Sequence, residues 1–133
     1  MLTHCGANPY YVESSPWSKA TTPAYSDFPK VVEFCHRWEN VKIIVAHCCT
    51  LAGALYNAVS DLDNVYTDTS MCSAAMMRYG AFLMGEDKIL FGTDVPFGSY
   101  RYSLAELRKA FGGKPDTLDK VGYANIAALL NII

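Results

Sequence analysis

The stretch of sequence that decides the fold is ILFGTDVPFG, at residues 89–98. A short apolar run ends there on a single carboxylate, Asp94, and Pro96 and Gly98 then interrupt any regular element. Aspartate before proline and glycine is common turn chemistry. The same pattern also describes a buried strand that delivers a carboxylate to the edge of a parallel sheet, where ligands bind. The rest of the chain favours this second interpretation.

Short apolar runs alternate with helical segments along the chain. The β-branched run VKIIVAH at 41–47 is typical of a strand buried on both faces. The apolar spacing within 27–39 is typical of an amphipathic helix. Further strands are predicted at 1–4, 64–70 and 87–94, and a long loop is predicted at 8–26. Further helices are predicted at 51–62 and 73–85, from a Ser103–Glu106 capping box to Gly112, and from Thr117 onward.

This alternation of strands and helices predicts an α/β fold. Strands joined through helices form parallel sheets with right-handed crossovers. An open sheet and half of a (β/α)8 TIM barrel both fit the predicted order. A complete barrel needs about 250 residues, whereas this chain has 133. We therefore predict a single domain over residues 1–133, which is either an open sheet or about half of such a barrel.

Composition excludes several classes of function. The net charge of −2 offers no basic patch, so we expect no nucleic-acid partner. No apolar run approaches the ~18 residues that a membrane span needs, so we expect no membrane partner. Five cysteines, an odd number, with no secretory leader before them, are typical of reduced thiols. We therefore expect a cytoplasmic protein.

Three polar side chains stand at the carboxyl ends of predicted strands. They are His4, His47 and Asp94. Because the carboxyl ends of parallel strands meet at one edge of the sheet, residues distant in sequence come together there. Imidazole and carboxylate groups are good ligands for a divalent cation such as zinc, which lowers the pKa of its bound water to about 7. The sequence therefore predicts a candidate active site at this edge.

The chain resembles the second half of a metal-dependent amidohydrolase. The resemblance lies in the branch that also contains decarboxylases related to aminocarboxymuconate semialdehyde decarboxylase. It rests on the matching pieces HCG at 4–6, IIVAH at 43–47, NVYTDTS at 64–70, ILFGTDVPF at 89–97 and NIAALL at 125–130, which follow the family's order for strands five to eight and the closing helix.

The resemblance implies a role for each strand-end residue. His4 would be a metal ligand, and Asp94 would bind the metal and take a proton from the attacking water. His47 would contact the substrate or stabilise its developing charge. The implied cofactor is a divalent metal, zinc in the first place and manganese as the other candidate. The implied reaction is hydrolysis or decarboxylation of a small cyclic or aromatic amide, lactone or carboxylate.

Two further residues are candidates for substrate binding. Arg101 follows the Asp94 loop, and its guanidinium group suits a substrate carboxylate, although an exposed arginine is equally consistent with the sequence. Trp17 belongs to the aromatic loop at 8–26, which would serve either as a lid over the substrate or as a cover packed on the rim of the barrel.

An alternative interpretation follows from the histidines. The chain has three, and none forms the H-x-H metal pair that the family's first strand supplies. The chain would then be a non-catalytic half-barrel remnant or an oligomerisation module that binds no metal by itself. A half-barrel leaves two sheet edges unpaired. We expect those edges to be covered by a missing N-terminal half or by a second copy of the chain, which would form a homo-oligomer.

Overall fold

Four parallel strands alternate with helices in the computed structural model, which describes residues 1–5, 27–47 and 52–132. The fold class predicted from the sequence is confirmed. In chain order the elements are β1 (Leu2–Thr3), α1 (Phe28–Arg37), β2 (Ile43–Val45), α2 (Ala52–Val59), β3 (Val65–Asp68), α3 (Ala74–Met84), β4 (Ile89–Leu90), α4 (Tyr100–Phe111), α5 (Pro115–Asp119) and α6 (Asn125–Leu129).

The strand order distinguishes half of a barrel from a doubly wound sheet. The strands lie side by side in their sequence order, β1-β2-β3-β4, and every neighbouring pair is parallel. A doubly wound sheet reverses its strand order at a switch point, and this sheet does not. Right-handed crossovers that all step in one direction place every connecting helix on the same face. Leu2, Ile44 and Tyr66, which are paired across β1, β2 and β3, lie on the opposite face of the sheet.

The helix-covered face of the sheet carries the core. Val45, Thr67 and Ile89 share one register across β2, β3 and β4, and all three are buried. The Thr67 hydroxyl donates to the Val45 carbonyl at 2.8 Å and lies 2.9 Å from the Tyr56 hydroxyl of α2. This buried polar group is therefore satisfied, and it ties α2 to the sheet.

Buried cysteines fill space in this core. Cys5, Cys35 and Cys72 are buried, and Cys5 and Cys35 are free thiols. Burial raises the pKa of the Cys35 thiol to about 11, and burial, followed by the charge of Asp27, raises the pKa of Cys5. A thiolate is the nucleophilic form of cysteine. Cys5 and Cys35 therefore act as packing residues.

The start of α4 differs from the prediction. The capping serine is Ser99, whose side chain accepts from the Tyr102 N–H at 3.4 Å. Ser103 is buried within the helix instead, so the predicted Ser103–Glu106 capping box is wrong. The Glu106 carboxylate accepts from the Ala74 N–H, at 2.6 Å, and thereby joins α4 to the first turn of α3. The Glu106 carboxylate therefore makes a tertiary hydrogen bond to a neighbouring helix instead of the local bond within α4 that the sequence pattern predicted.

The Glu106 contact makes stability depend on pH. The hydrogen bond from Ala74 holds the pKa of Glu106 below its usual value of 4.5. A carboxylate with a lower pKa in the folded protein than in the unfolded chain stabilises the fold at any pH above its pKa in the unfolded chain. This contribution is lost as the pH falls through the pKa of the carboxylate in the folded protein. We expect Glu106→Gln to lower the urea midpoint at pH 7, and this difference to shrink below about pH 4. The control is Glu33→Gln, at an exposed glutamate of α1. A pH-independent difference would contradict the assignment.

The last helical segment begins earlier than predicted and is divided. α5 starts at Pro115, a wider π-helical turn spans Lys120–Ala124, and α6 follows. The Asn125 side chain donates to the carbonyl oxygens of Glu86 and Ile89, at 2.7 and 2.8 Å. These bonds fasten the closing helix to β4. In the described part of the chain no helix is both long and apolar enough to cross a membrane.

Candidate active site

Two of the predicted site residues meet at the carboxyl ends of the strands. His4 directly follows β1 and is exposed, whereas His47 lies two residues after β2 and is half-buried. Their ring centroids are 4.6 Å apart, and the ring planes meet at 64° in an edge-to-face arrangement. The pairing of β1 with β2 therefore brings together two imidazoles that are separated by 43 positions (47 minus 4) in the sequence.

The carboxylate nearest to His47 was not predicted as a site residue. It belongs to Asp68, the last residue of β3. Asp68 Oδ1 accepts from the His47 N–H at 3.3 Å, from the Ser70 N–H at 2.8 Å, and from the Ser70 hydroxyl. The Ser70 Oγ in turn lies 2.8 Å from His47 Nδ1. Asp68, Ser70 and His47 thus form one hydrogen-bonded network, which we call the His47 network.

A sequence signal for Asp68 was available. NVYTDTS was interpreted as a strand and as part of the family resemblance, and Asp68 ends that strand as His47 and Asp94 follow theirs. The rule that selected His4, His47 and Asp94 applies equally to Asp68. Ser70 carries no comparable signal, because its role depends on a side-chain distance that the sequence does not contain.

Gly92 makes room for the Asp68 side chain. A Cβ on Gly92 would lie 3.0 Å from both Cγ and Oδ1 of Asp68. The Thr69 hydroxyl joins the two strand ends as well, since it accepts from the Gly92 N–H at 3.1 Å and lies 3.4 Å from the Gly92 carbonyl oxygen. The glycine of ILFGTD is therefore required by close packing against the His47 network.

We expect Gly92→Ala to displace Asp68 and to destabilise the fold. Overpacking of this kind typically costs about 1–3 kcal/mol. The matched control is Gly113→Ala, because a Cβ there meets nothing within 4 Å, and it should change stability by less than about 0.5 kcal/mol. Urea unfolding of both variants measures the difference. Equal stability of the two variants would contradict the close approach.

Asp94 lies in the tight turn that follows β4. Its carbonyl oxygen accepts from the Gly98 N–H at 2.6 Å, and the Val95–Pro96 peptide bond between them is cis. The backbone of Thr93 packs against Gly98 so closely that a Cβ there would lie 2.0 Å from its carbonyl oxygen. Both interpretations of ILFGTDVPFG are therefore correct in part, because β4 ends at the carboxyl edge of the parallel sheet and the chain turns there at once.

Unusual backbone conformations gather at this edge. His47, Met71 and Asp94 have φ values of 59°, 60° and 57°, in the left-handed region that favours glycine. They follow the ends of β2, β3 and β4 by two, three and four residues, and the other such non-glycine residue in the described ranges, Asn131, follows α6. Non-glycine residues in this region cost about 1–3 kcal/mol each and are concentrated at functional sites. The backbone geometry and the polar network thus mark the same part of the molecule.

The residues of this edge offer suitable donors for a metal but do not complete a site. His4 and Asp94 supply an imidazole and a carboxylate, which suit zinc and manganese. Within residues 1–5, 27–47 and 52–132, no group of three or more His, Cys, Asp or Glu side chains is placed to hold an ion. No hydrogen bond or ion pair joins Asp94 to His4 or His47 in the same ranges. A metal would therefore need further ligands.

The two predicted substrate-binding residues remain predictions. Arg101 lies in the first turn of α4 and is exposed. Trp17, together with the loop at 8–26, lies outside the described residues. The third histidine, His36 of α1, is exposed, and its Nε2 lies 3.0 Å from the Ala58 carbonyl oxygen of α2.

Comparison with known proteins agrees with the fold. The family model described as "Amidohydrolase" matches residues 1–132. A comparison with the curated proteins finds none that matches.

Three solved decarboxylases share the fold. The structure of 5-carboxyvanillate decarboxylase from Sphingomonas paucimobilis aligns with a TM-score of 0.66 at 15% identity, over 98% of this chain and 48% of its own. That of 2,6-dihydroxybenzoate decarboxylase from Rhizobium gives 0.62 at 14% identity, over 98% and 51%. A dihydroxybenzoic acid decarboxylase from Polaromonas sp. JS666, with bound manganese and the inhibitor 2-nitroresorcinol, gives 0.61 at 16% identity, over 86% and 44%. The chain spans about half the length of these proteins.

Proposed function

The chain belongs to the amidohydrolase family, and on that premise we propose that it is the second half of a metal-dependent decarboxylase barrel. The proposed substrate is a hydroxylated aromatic carboxylate. The sequence left hydrolysis and decarboxylation open. The substrates in the names of the three structural neighbours support decarboxylation.

The observation that carries the proposal is the His47 network beside His4. It places an imidazole, held by a carboxylate and a hydroxyl, at the edge where parallel α/β enzymes bind their substrates. Histidine is the side chain best suited to donate and accept protons near neutral pH. Decarboxylation needs such a group, because the carbon that loses CO2 must gain a proton.

In the proposed reaction His47 is the one group that carries the proton, from solvent to the ring carbon. Protonated His47 gives its Nε2 proton to the ring carbon that bears the carboxylate. The bond between that carbon and the carboxylate then breaks, its electron pair restores the aromatic ring, and CO2 leaves. His47 regains a proton from solvent. Proton transfer by a positioned side chain contributes about 10²- to 10⁴-fold to a rate.

We assign His4 and Asp94 as the metal ligands that this chain contributes. A bound zinc or manganese ion would polarise substrate oxygen atoms as a Lewis acid. Two protein ligands are fewer than the three that catalytic zinc sites usually have. The remaining ligands would come from the other half of the barrel, whether that half is part of a longer chain or a separate molecule.

The test compares decarboxylation with hydrolysis in the same preparation. The purified chain, and any longer polypeptide that its gene encodes, is assayed with Mn²⁺ or Zn²⁺ on 2,6-dihydroxybenzoate and 5-carboxyvanillate, with CO2 release as the readout. Aryl amides and lactones serve as hydrolysis substrates. We expect CO2 release, and we expect Asp94→Asn to lower the bound metal measured by elemental analysis. Hydrolysis without CO2 release would overturn the proposal.

A second candidate function is that of an assembly module without its own chemistry. In the described sheet, β1 and β4 each pair on one side only, and Leu2 on the face away from the helices is 66% exposed. Exposed strand edges tend to pair with another chain. Light scattering decides whether the chain has its own mass of 14.7 kDa or twice that mass. A dimer that binds no metal and releases no CO2 would favour this second function.

A further inference from the structure

The His47 network assigns the ring hydrogen of His47 to one nitrogen. Two oxygen atoms approach His47 Nδ1, the Ser70 hydroxyl oxygen at 2.8 Å and the Ser70 carbonyl oxygen at 3.3 Å. A carbonyl oxygen only accepts hydrogen bonds. The hydroxyl could in principle donate or accept, so its other partner decides which way this bond runs.

That other partner is Asp68 Oδ1, which the Ser70 hydroxyl also contacts. An ionised carboxylate is acceptor-only, and a serine hydroxyl has one hydrogen. If the hydroxyl hydrogen pointed to His47, two oxygen atoms without a hydrogen between them would face each other at Asp68. The hydroxyl therefore donates to Asp68 and accepts from His47 Nδ1.

We propose that Ser70 and Asp68 are positioning residues that hold neutral His47 as the Nδ1–H tautomer and keep its Nε2 as the reactive nitrogen. Nε2 then receives or delivers the proton in the proposed reaction, and Nδ1 keeps its hydrogen throughout. This role in catalysis rests on the proposed function, whereas the tautomer itself does not.

Three features of the structure support the positioning role. Ser70 is buried at 3% exposure, so water competes poorly for its hydroxyl. The Asp68 oxygen also accepts from the His47 backbone N–H, which holds that residue in its left-handed conformation. Gly92 leaves the space that Asp68 occupies. The network is therefore fixed from β2, β3 and β4 together, which favours a single orientation of the ring.

The direct test is the ¹⁵N shift of the ring nitrogens. The chain has three histidines, so long-range ¹H–¹⁵N correlation resolves each ring, and at about pH 8.5 histidine side chains in general are neutral. We expect Nδ1–H for His47. His36 is an internal control for which the opposite tautomer is expected. Its Nε2 faces the Ala58 carbonyl oxygen, so Nε2 must carry the hydrogen in that contact. An Nε2–H tautomer at His47 in the wild-type chain would overturn the inference.

Substitutions at Ser70 test the cause of this preference. Ser70→Ala should lower the ratio of Nδ1–H to Nε2–H at His47 by about tenfold, the effect of one hydrogen bond. Ser70→Thr keeps the hydroxyl and should keep the ratio, as should Ser60→Ala at an exposed serine after α2. An unchanged ratio in Ser70→Ala would overturn the inference. If Ser70→Ala does not fold, the wild-type and Ser70→Thr spectra still decide it.

Kinetics then separate this inference from the proposed function. In a preparation that releases CO2, Ser70→Ala should lower kcat about tenfold with little change in KM, because it affects proton transfer rather than binding. Absence of CO2 release with the Nδ1–H tautomer intact would overturn the proposed function and leave the assigned tautomer standing. A normal kcat in Ser70→Ala with an altered tautomer would overturn the positioning role.

Discussion

Asn64→Ala is expected to destabilise the fold by about 2–4 kcal/mol, more than any other single substitution of a polar residue outside the site. Asn64 is 2% exposed and directly precedes β3. Its Nδ2 donates to the carbonyl oxygens of Cys35, Trp38 and Val41, at 3.3, 3.1 and 3.2 Å. These carbonyls belong to the end of α1 and the turn into β2. Removing the amide deprives the Cys35 carbonyl of this donor in a buried environment and the Trp38 and Val41 carbonyls in a partly buried one.

A second substitution at the same position separates hydrogen bonding from volume. Asn64→Asp preserves the shape of the side chain but replaces the donor group with an oxygen that faces three carbonyl oxygens. We expect it to destabilise at least as much as Asn64→Ala in urea unfolding at pH 7. The control is Asn57→Ala, at an exposed residue of α2, which should stay within about 0.5 kcal/mol of wild type. A nearly wild-type Asn64→Asp protein would show that the amide hydrogens contribute little.

The positions of the site residues could be predicted from the sequence because they depend on strand ends. A β-branched run ending in His47 and an apolar run leading to Asp94 mark two such ends directly. Once the segments are parallel and in sequence order, their carboxyl ends must share one edge. That His4 and His47 lie at the same edge of the sheet follows from that topology, whereas the contact between their rings depends on the packed side chains.

The bonds within the site could not be predicted, because they depend on side-chain distances between strands. Nothing in the sequence separates Ser70, which bonds to His47, from Ser73, which caps α3. Glu106 is the converse case, in which the sequence pattern predicted a bond that the structure does not contain. Its spacing from Ser103 is ideal for a local capping box, yet its carboxylate binds the Ala74 N–H on a neighbouring helix. Where a local pattern and a tertiary partner compete, only the packed fold decides.

His47→Gln is expected to lower kcat for decarboxylation by about 10²- to 10⁴-fold, the usual contribution of a proton-transferring side chain. Glutamine retains a polar side chain of similar reach but does not transfer a proton near neutral pH. We expect the loss mainly in kcat rather than in KM, because glutamine keeps a hydrogen-bonding side chain at this position but has no proton to transfer. The assay is CO2 release in a preparation that turns over the substrate. His36→Gln, at an exposed histidine of α1, is the matched control and should retain full activity.

The combination of His47→Gln with Ser70→Ala gives the most decisive result. If Ser70 acts only through the orientation of His47, removing it should cost nothing further once the imidazole is gone, so the double variant should have the kcat of His47→Gln alone. If the two losses multiplied instead, Ser70 would touch the substrate itself, and its role would be catalytic rather than positioning. A His47→Gln enzyme with undiminished kcat would remove His47 from the chemistry, and the proton would then have to come from another group, such as Asp94 or a residue of the other half of the barrel.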